Sequence, residues 1–374
     1  MAGRGLSLAL ALLAGAAAAQ EPPAPGAIRL ASFNASLTRA APGGLVQALR
    51  LGDDRQIAAV AEILRRVRPD VLLLNEVDHD ARGVALALFA AALATGPDGV
   101  DYPHRFAAPS NTGEPTGFDL DGDGRTDGPR DAFGYGAFRG QYGMALLSRF
   151  PLGPARTFRL MRWADMPGAA IPPGHYAPEA EAVLRLSSKS HWDVVVETPF
   201  GALHVLASHP TPPVFDGPED ANGRRNADEI RFWTDYLDGR DWMTDDDGRR
   251  GGFAGGAFAI MGDLNADPAD GDGRRGAIRA LLDHPAVQDP LPRSAGGAAA
   301  ADAGHAGDPA LDTAAFRGPG ALRVDYVLPA RALEVTAAGV FWPAPGDPLR
   351  RLVGDGARVI SSDHRLVWVD VRPR

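Results

Sequence analysis

Short apolar runs that end abruptly in a polar residue constrain this chain more than any other feature. Ile28 to Phe33 runs into Asn34, Val71 to Leu74 into Asn75-Glu76, Val205 to Ser208 into His209, and Ile260-Met261-Gly262 into Asp263-Leu264-Asn265. Runs of this length between glycine and proline clusters read as β-strands. Tyr142 to Ser148, Trp192 to Glu197, Val324 to Pro329 and Leu366 to Val371 read the same way, and Glu197 to Gly201 reads as a turn between two of them. Between the strands lie helical patterns. Ile57, Val60, Ile63 or Leu64, and Val67 recur at helical spacing behind Asp53-Asp54, whose carboxylates suit an N-terminal cap, and Asn226 to Leu237 puts Ile230, Trp233 and Leu237 on one face. Strands lie both beside one another and alternating with helices, so a mixed α/β domain with antiparallel pairing fits better than a doubly wound parallel sheet.

With 374 residues, 45% of them hydrophobic, the chain can bury a sizeable core. The first nineteen residues carry one cation, Arg4, then the apolar run Leu6 to Leu13, then Ala17-Ala18-Ala19 before Gln20. This is the pattern of a cleaved secretory signal, too short in its apolar part to cross about 30 Å of hydrocarbon. The expected organisation is a signal over 1–19, a tether over 20–27, and one domain over 28–374 with an insertion at 110–140, in a secreted or periplasmic protein. Cysteine is absent, so neither a disulfide nor a thiolate ligand is available. Loss of Arg4 with the signal takes the formal charge from −9 to about −10. Nonspecific nucleic-acid binding needs several cationic contacts to phosphates, and Lys189 is the sole lysine, so a small phosphorylated molecule or a short phosphodiester is favoured over a long duplex.

Each polar strand end has an ordinary explanation when taken alone. Asp263 and Asn265 suit a turn, Glu76 a solvated strand end, and Asp363-His364 a salt link in a loop. Taken together, carboxylates and amides at strand ends can converge on one rim of a sheet. Oxygen ligands there favour Mg²⁺ or Mn²⁺ over zinc, and two histidines can meet a phosphate.

At Ser32-Phe33-Asn34, Leu74-Asn75-Glu76, Gly143 to Arg149, Ser208-His209, Gly262-Asp263-Leu264-Asn265, Asp325-Tyr326 and Ser362-Asp363-His364 the chain resembles the endonuclease/exonuclease/phosphatase superfamily. That superfamily includes deoxyribonuclease I, abasic-site endonucleases, inositol polyphosphate phosphatases and bacterial sphingomyelinases. The pieces occur in the family's order over nearly all of the mature chain. The resemblance implies a four-layer sandwich, two packed mixed β-sheets flanked by helices, with the site at one end. It implies Glu76 as the main metal ligand, assisted by Asn34 and Asp363. It assigns Asp263 to the attacking water, and Asn265 to that water or a phosphate oxygen. It gives His364, oriented by Asp325, the scissile phosphate, and makes His209 a candidate general acid. Ser36 stands where many nuclease members carry an acid, which points to one metal. Phosphoryl transfer to water asks for the same groups: an aligned nucleophile, neutralised equatorial oxygens and a stabilised leaving oxygen. Of the two histidines, His209 is expected near neutral pKa and His364 raised by Asp325.

Other segments bear on substrate. Asp119, Asp121, Asp123 and Asp127 alternate as in a calcium loop, with glycine at the sixth position, but Arg130 stands where its glutamate belongs. Calcium there would be structural. Lys189 and His191 sit among serines just before a strand, Arg225 follows the loop after His209, and Tyr142 precedes Gly143, so all four are candidate substrate contacts. The stretch Ser294 to Gly307 reads as a long loop. The expected activity is an exported, metal-dependent hydrolysis of phosphate mono- or diesters by direct attack of water. The alternatives are an extracellular nuclease of the same fold and an inactive calcium-binding module.

Overall fold

The computed structural model describes residues 20–302, 304–355 and 359–374, so the proposed signal lies outside the described residues. The segment read as a tether is tied down: Gln20 N donates to Arg66 O at 3.0 Å and Glu21 O accepts from Arg29 Nη2 at 2.7 Å.

The strands are β1 (Ile28–Asn34), β2 (Val71–Val77), β3 (His104–Phe106), β4 (Gly143–Ser148), β5 (Leu152–Thr157), β6 (His191–Thr198) and β7 (Gly201–Ser208), followed by β8 (Ala257–Asp263), β9 (Ala314–Phe316), β10 (Gly320–Leu322), β11 (Asp325–Pro329), β12 (Leu333–Val340) and β13 (Val367–Pro373). One sheet runs β12-β13-β1-β2-β4-β3 and the other β11-β8-β7-β6-β5, with β9 and β10 forming a separate hairpin. Each large sheet has one parallel pair at its centre, β1 with β2 and β7 with β8. Their other neighbours are antiparallel. Parallel partners finish at the same edge, and antiparallel neighbours begin there. This topology gathers the ends of β1, β2, β7 and β8 with the starts of β4, β6, β11 and β13.

The helices are α1 (Gly44–Leu51), α2 (Arg55–Val67), α3 (Val84–Ala94), α4 (Pro178–Glu181), α5 (Ala221–Leu237), α6 (Arg275–Leu282) and α7 (Ala295–Ala298). Helix α2 starts where expected, with Asp54 accepting from Gln56 N and Ile57 N. Helix α5 begins five residues earlier than its apolar face suggests, because its first turn carries polar residues that the periodicity does not register.

Strand alternation sorts the second sheet into two cores. Val205, Ala207, Ala259, Met261 and Val327 face the first sheet. Their sequence neighbours Leu206, Phe258, Ile260, Tyr326 and Leu328 face α5 and α6. On the first sheet, β2 buries Val71 through Leu74 completely, because α2 and α3 cover one face and the second sheet the other. The result is the expected helix–sheet–sheet–helix arrangement. The stretch read as a long loop opens with α7, capped by Ser294, and its far end is tied to Asp270, which accepts from Ala306 N and Gly307 N.

Candidate active site

Backbone irregularities aim the polar strand ends at the shared rim. Pairing of β2 with β4 slips between Asn75 and Val77, and Glu76 takes a left-handed φ of 58°. Bulges of this kind redirect a side chain out of the ladder. Gly262 has φ 150°, and a Cβ there would meet Ser208 O at 2.0 Å, so only glycine lets β8 approach the end of β7 this closely. That approach sets Asp263 beside His209. Asn265 follows in the left-handed region at φ 51°, which asparagine tolerates.

Asp263 is the hub. Its Oδ2 accepts from Asn34 Nδ2 at 3.0 Å and faces His209 Nε2 at 3.4 Å and His364 Nε2 at 3.7 Å. Its Oδ1 accepts from Asn265 N at 2.9 Å. Burial alone would raise this carboxyl; the His364 and His209 rings and the Asn34 amide overcome it and hold Asp263 well below the usual carboxylate range. His364 Nδ1 lies 2.9 Å from Asp325 Oδ2. Burial opposes its charge, but Asp325 and Asp263 prevail and lift it to about 10, so the ring is an imidazolium at neutral pH. Glu76 is pushed up by burial and by the charges of Asp263 and Asp363, against the pull of His364 and Asn34.

Asn34, Glu76, His209, Asp263, Asn265, Asp325, Asp363 and His364 therefore come together from both sheets. One of these residues takes on a further role and one departs from expectation. Asn34 donates Nδ2 to Glu76 Oε1 at 3.2 Å as well as to Asp263, and its Oδ1 accepts from Ser36 N. Its Nδ2 thus clamps the two carboxylates, while its Oδ1, with one of two lone pairs taken, keeps an acceptor position. His209 is not near neutral: burial, reinforced by the Lys189 charge, drives it down to about 4 despite Asp263, so at neutral pH it is an uncharged imidazole without the second ring proton that a general acid would give.

The buried oxygen and nitrogen atoms that lie within 4.8 Å of one another belong to Asp263, Asp325 and His364. Within that trio the His364 ring lies between two carboxylates, with Nδ1 2.9 Å from Asp325 and Nε2 3.7 Å from Asp263. The carboxylates of the rim that are half-buried and not fully enclosed are Glu76 and its neighbour Asp363. Four acids against one imidazolium and one ammonium leave this rim with excess negative charge, and an all-oxygen donor set of this kind suits a hard divalent cation.

The model of the Endonuclease/Exonuclease/phosphatase family matches residues 31–364. The chain belongs to the endonuclease/exonuclease/phosphatase family. Members of this superfamily are hydrolases of phosphoester bonds. A crystal structure from Beutenbergia cavernae DSM 12333, described as an endonuclease/exonuclease/phosphatase, shares the fold at TM-score 0.53 and 19% identity, over 93% of this chain and 72% of that one. The human Nocturnin catalytic domain aligns at TM-score 0.46 and 15% identity, over 93% of this chain and 94% of that one. Sphingomyelinase C from Streptomyces griseocarneus aligns at 0.45 and 15%, over 92% and 99%. No curated protein sequence matches.

Around the rim of this family member, the expected substrate contacts separate. Lys189 is buried, and its ammonium forms no ion pair or hydrogen bond among the described residues; burial lowers it, while Glu229, Asp263 and Glu76 pull the other way. His191 is a core residue. Its Nδ1 bonds Ser187 Oγ, its Nε2 lies 2.8 Å from Glu229 O, and its ring is packed on Phe232 and Trp233. With both nitrogens taken, it has none left for substrate, because β6 begins at His191 and turns it toward α5. Arg225 donates Nε to Leu186 O and Nη2 to Phe133 O and Arg185 O, which makes it a clamp on the wall behind Lys189. Tyr142 is half-buried at φ 55°, close enough to Glu76 for that charge, with burial, to raise its hydroxyl.

In the acidic insertion, Asp119, Asp121 and Asp123 can converge on one point. However, Asp119 already accepts from Gly122 N, Asp123 N and Gly124 N, and Asp127 is bound by Arg125. Asp131 closes the loop, accepting from Leu120 N and Gly128 N.

Sequence reasoning missed the supports. Asn75 Oδ1 accepts from Asp263 N at 3.1 Å, joining the two sheets beneath the site. Thr313 Oγ1 donates to Asp325 Oδ2 at 2.8 Å and accepts from Asp325 N. Asn226 Nδ2 donates to Thr211 O and Leu264 O. Asn75 carries a signal, an amide inside a fully apolar run. Thr313, twelve residues ahead of its partner, carries none.

Proposed function

We propose that this chain is an exported, divalent-metal-dependent phosphoesterase that hydrolyses phosphate mono- or diesters by direct attack of water. The observation that carries this reading is the pairing of an ionised Asp263 with a protonated His364 beside the half-buried carboxylate of Glu76. An acceptor for water and a donor for phosphate thus face the same point.

Glu76 and Asp363 would hold the metal, Mg²⁺ or Mn²⁺, which when bound supplies Lewis-acid neutralisation of a phosphate oxygen. Asp263 accepts a hydrogen bond from the attacking water and fixes its direction. Held so low, it is a weak base, so it takes the proton only as the new P–O bond develops. Asn265 lies beside this carboxylate to hold the water or a phosphate oxygen. His364 presents Nε2–H to the phosphate while Asp325, fixed by Thr313, fixes the ring. Lys189 offers an ammonium that the described protein groups leave unsatisfied, and a phosphate oxygen would satisfy it. His209, neutral, donates Nε2–H toward Asp263 and orients it; its buried Nδ1 has no partner among the described residues. Calcium in the insertion would be held by Asp119, Asp121 and Asp123 and would serve structure alone.

Export rests on Arg4, Leu6 to Leu13 and Ala17 to Ala19. Its test is N-terminal sequencing of protein recovered outside the cytoplasm: a start at Gln20 supports cleavage, and an intact Met1 removes it. The activity test is hydrolysis of nitrophenyl phosphate, its bis-ester and plasmid DNA with Mg²⁺, Mn²⁺ or chelator. Turnover of the small esters supports the reading, nicking of plasmid alone favours a nuclease, and inertness toward all three overturns it.

A further inference from the structure

The insertion at 110–140 forms the wall of the site between Glu76 and Lys189, and its backbone is fixed there. A Cβ on Gly134 would fall 1.8 Å from Ser188 O, so this segment lies directly against the residues leading into β6. Asn111 N donates to Lys189 O at 2.9 Å, and Gly134 N to Asn111 O at 3.1 Å. Asn111 Nδ2 donates to Ser187 O at 2.7 Å. Arg225 holds Phe133 O, and the Arg185 guanidinium lies 3.9 Å over the Phe133 ring. On the other side, Gly136 N donates to Pro129 O at 3.3 Å.

Between these pinned glycines stands Tyr135, whose side chain is 60% exposed. Its ring centroid is 6.3 Å from that of Tyr142, with the planes tilted by 39°. Tyr142 leads into β4 opposite Glu76, and burial, with the Glu76 charge, raises its hydroxyl. Tyr135 is thus a large, exposed ring on a backbone held by close packing and hydrogen bonds at the edge of the proposed phosphoester site. Ordering such a side chain costs little on binding, since most of that cost is already met by folding. A planar group stacked on an aromatic side chain is worth about 1–3 kcal/mol.

We propose that Tyr135, backed by Tyr142, is a specificity-determining platform that stacks on a planar aromatic group carried by the phosphoester, a nucleobase or an aryl alcohol, in preference to an aliphatic one. The inference rests on the phosphoesterase reading, and its test separates the two. Wild type, Tyr135→Ala and Tyr135→Phe are compared for binding of thymidine 5′-monophosphate, phenyl phosphate and glycerol 3-phosphate by calorimetry, and for kcat and KM on diesters of the same three alcohols. Tyr135→Ala is expected to weaken binding and raise KM about 5- to 100-fold for the aromatic ligands, with kcat and the glycerol ligand within twofold, and Tyr135→Phe to restore the preference. The larger loss, on thymidine or on phenyl, identifies the source of the ring. Equal effects on all three ligands, or none, overturn the platform even where turnover is intact. Aromatic-selective binding that depends on Tyr135 without any turnover keeps the platform and sinks the phosphoesterase.

Discussion

Two groups of carboxylates crowd together in this protein, and they are held in opposite ways. At the rim, Asp263, Asp325, Glu76 and Asp363 come from distant parts of the chain, and their charges are met by His364, His209 and Asn34. In the insertion, Asp119, Asp121, Asp123 and Asp127 come from one exposed turn, and their charges are met by their own backbone amides and Arg125. The first group costs burial and long-range closure, and gains shifted proton affinities. The second costs almost nothing, because solvent and neighbouring amides meet the charges where they stand. Crowding of acids in sequence is therefore a poorer guide to chemistry than crowding that the fold imposes on residues far apart.

The largest test of that difference is Asp263→Asn. It keeps the shape of the hub but removes its charge, and kcat is expected to fall by roughly 10²–10⁴-fold, with a lower melting temperature as well, since the buried His364 ring loses an anion that faces it. Retained turnover would break the comparison. Next, chelation should abolish activity and Mg²⁺ or Mn²⁺ restore it, whereas calcium alone should not. Asp325→Asn should follow with about 10²-fold lower kcat, because the His364 ring loses the partner that fixes and protonates it.

How the rim could be foreseen depends on the residue. The strand-end carboxylates were legible because an apolar run ending in Asp or Glu is conspicuous, and the family's order of pieces tied them together. The edge strands β3, β5 and β12 were not, since their half-exposed residues lack a clean alternation. His191 shows the limit from the other side. A histidine beside serines and the sole lysine reads as substrate-facing, yet His191 is the first residue of β6 and is turned toward α5, whereas Lys189 lies in the irregular segment before that strand, where the period of two does not apply. The depressed pKa of His209 was equally hidden, since it follows first from burial and then from the charge of Lys189, neither of which the sequence displays.

Stability against pH gives a smaller effect with opposite signs at the two histidines. His364 is raised to about 10 in the fold. Its contribution is complete below its unfolded value of about 6.5 and is lost as pH climbs from there through 10. His209 is depressed to about 4, so its contribution is present above about 6.5 and is lost as pH falls toward 4. Melting temperature should therefore decline on both sides of neutrality, with His364→Gln flattening the alkaline limb and His209→Asn the acid one. An unchanged alkaline limb in His364→Gln would remove the buried ion pair. Smallest of all, Asp121→Asn should leave kcat within twofold and alter only calcium binding seen by calorimetry. A large loss of turnover would make the insertion part of the chemistry.

Strand order has a consequence for timing. β13, the last strand in the sequence, lies between β1 and β12 in the middle of its sheet, and the turn that leads into it carries Asp363 and His364. Asn34 is in place when only a tenth or so of the residues exist, but the point where water and phosphate would meet is not closed until nearly all of them do. A chain that stops before Asp363 holds most of the parts of the rim but neither closes the first sheet nor supplies the ring that pairs with Asp325.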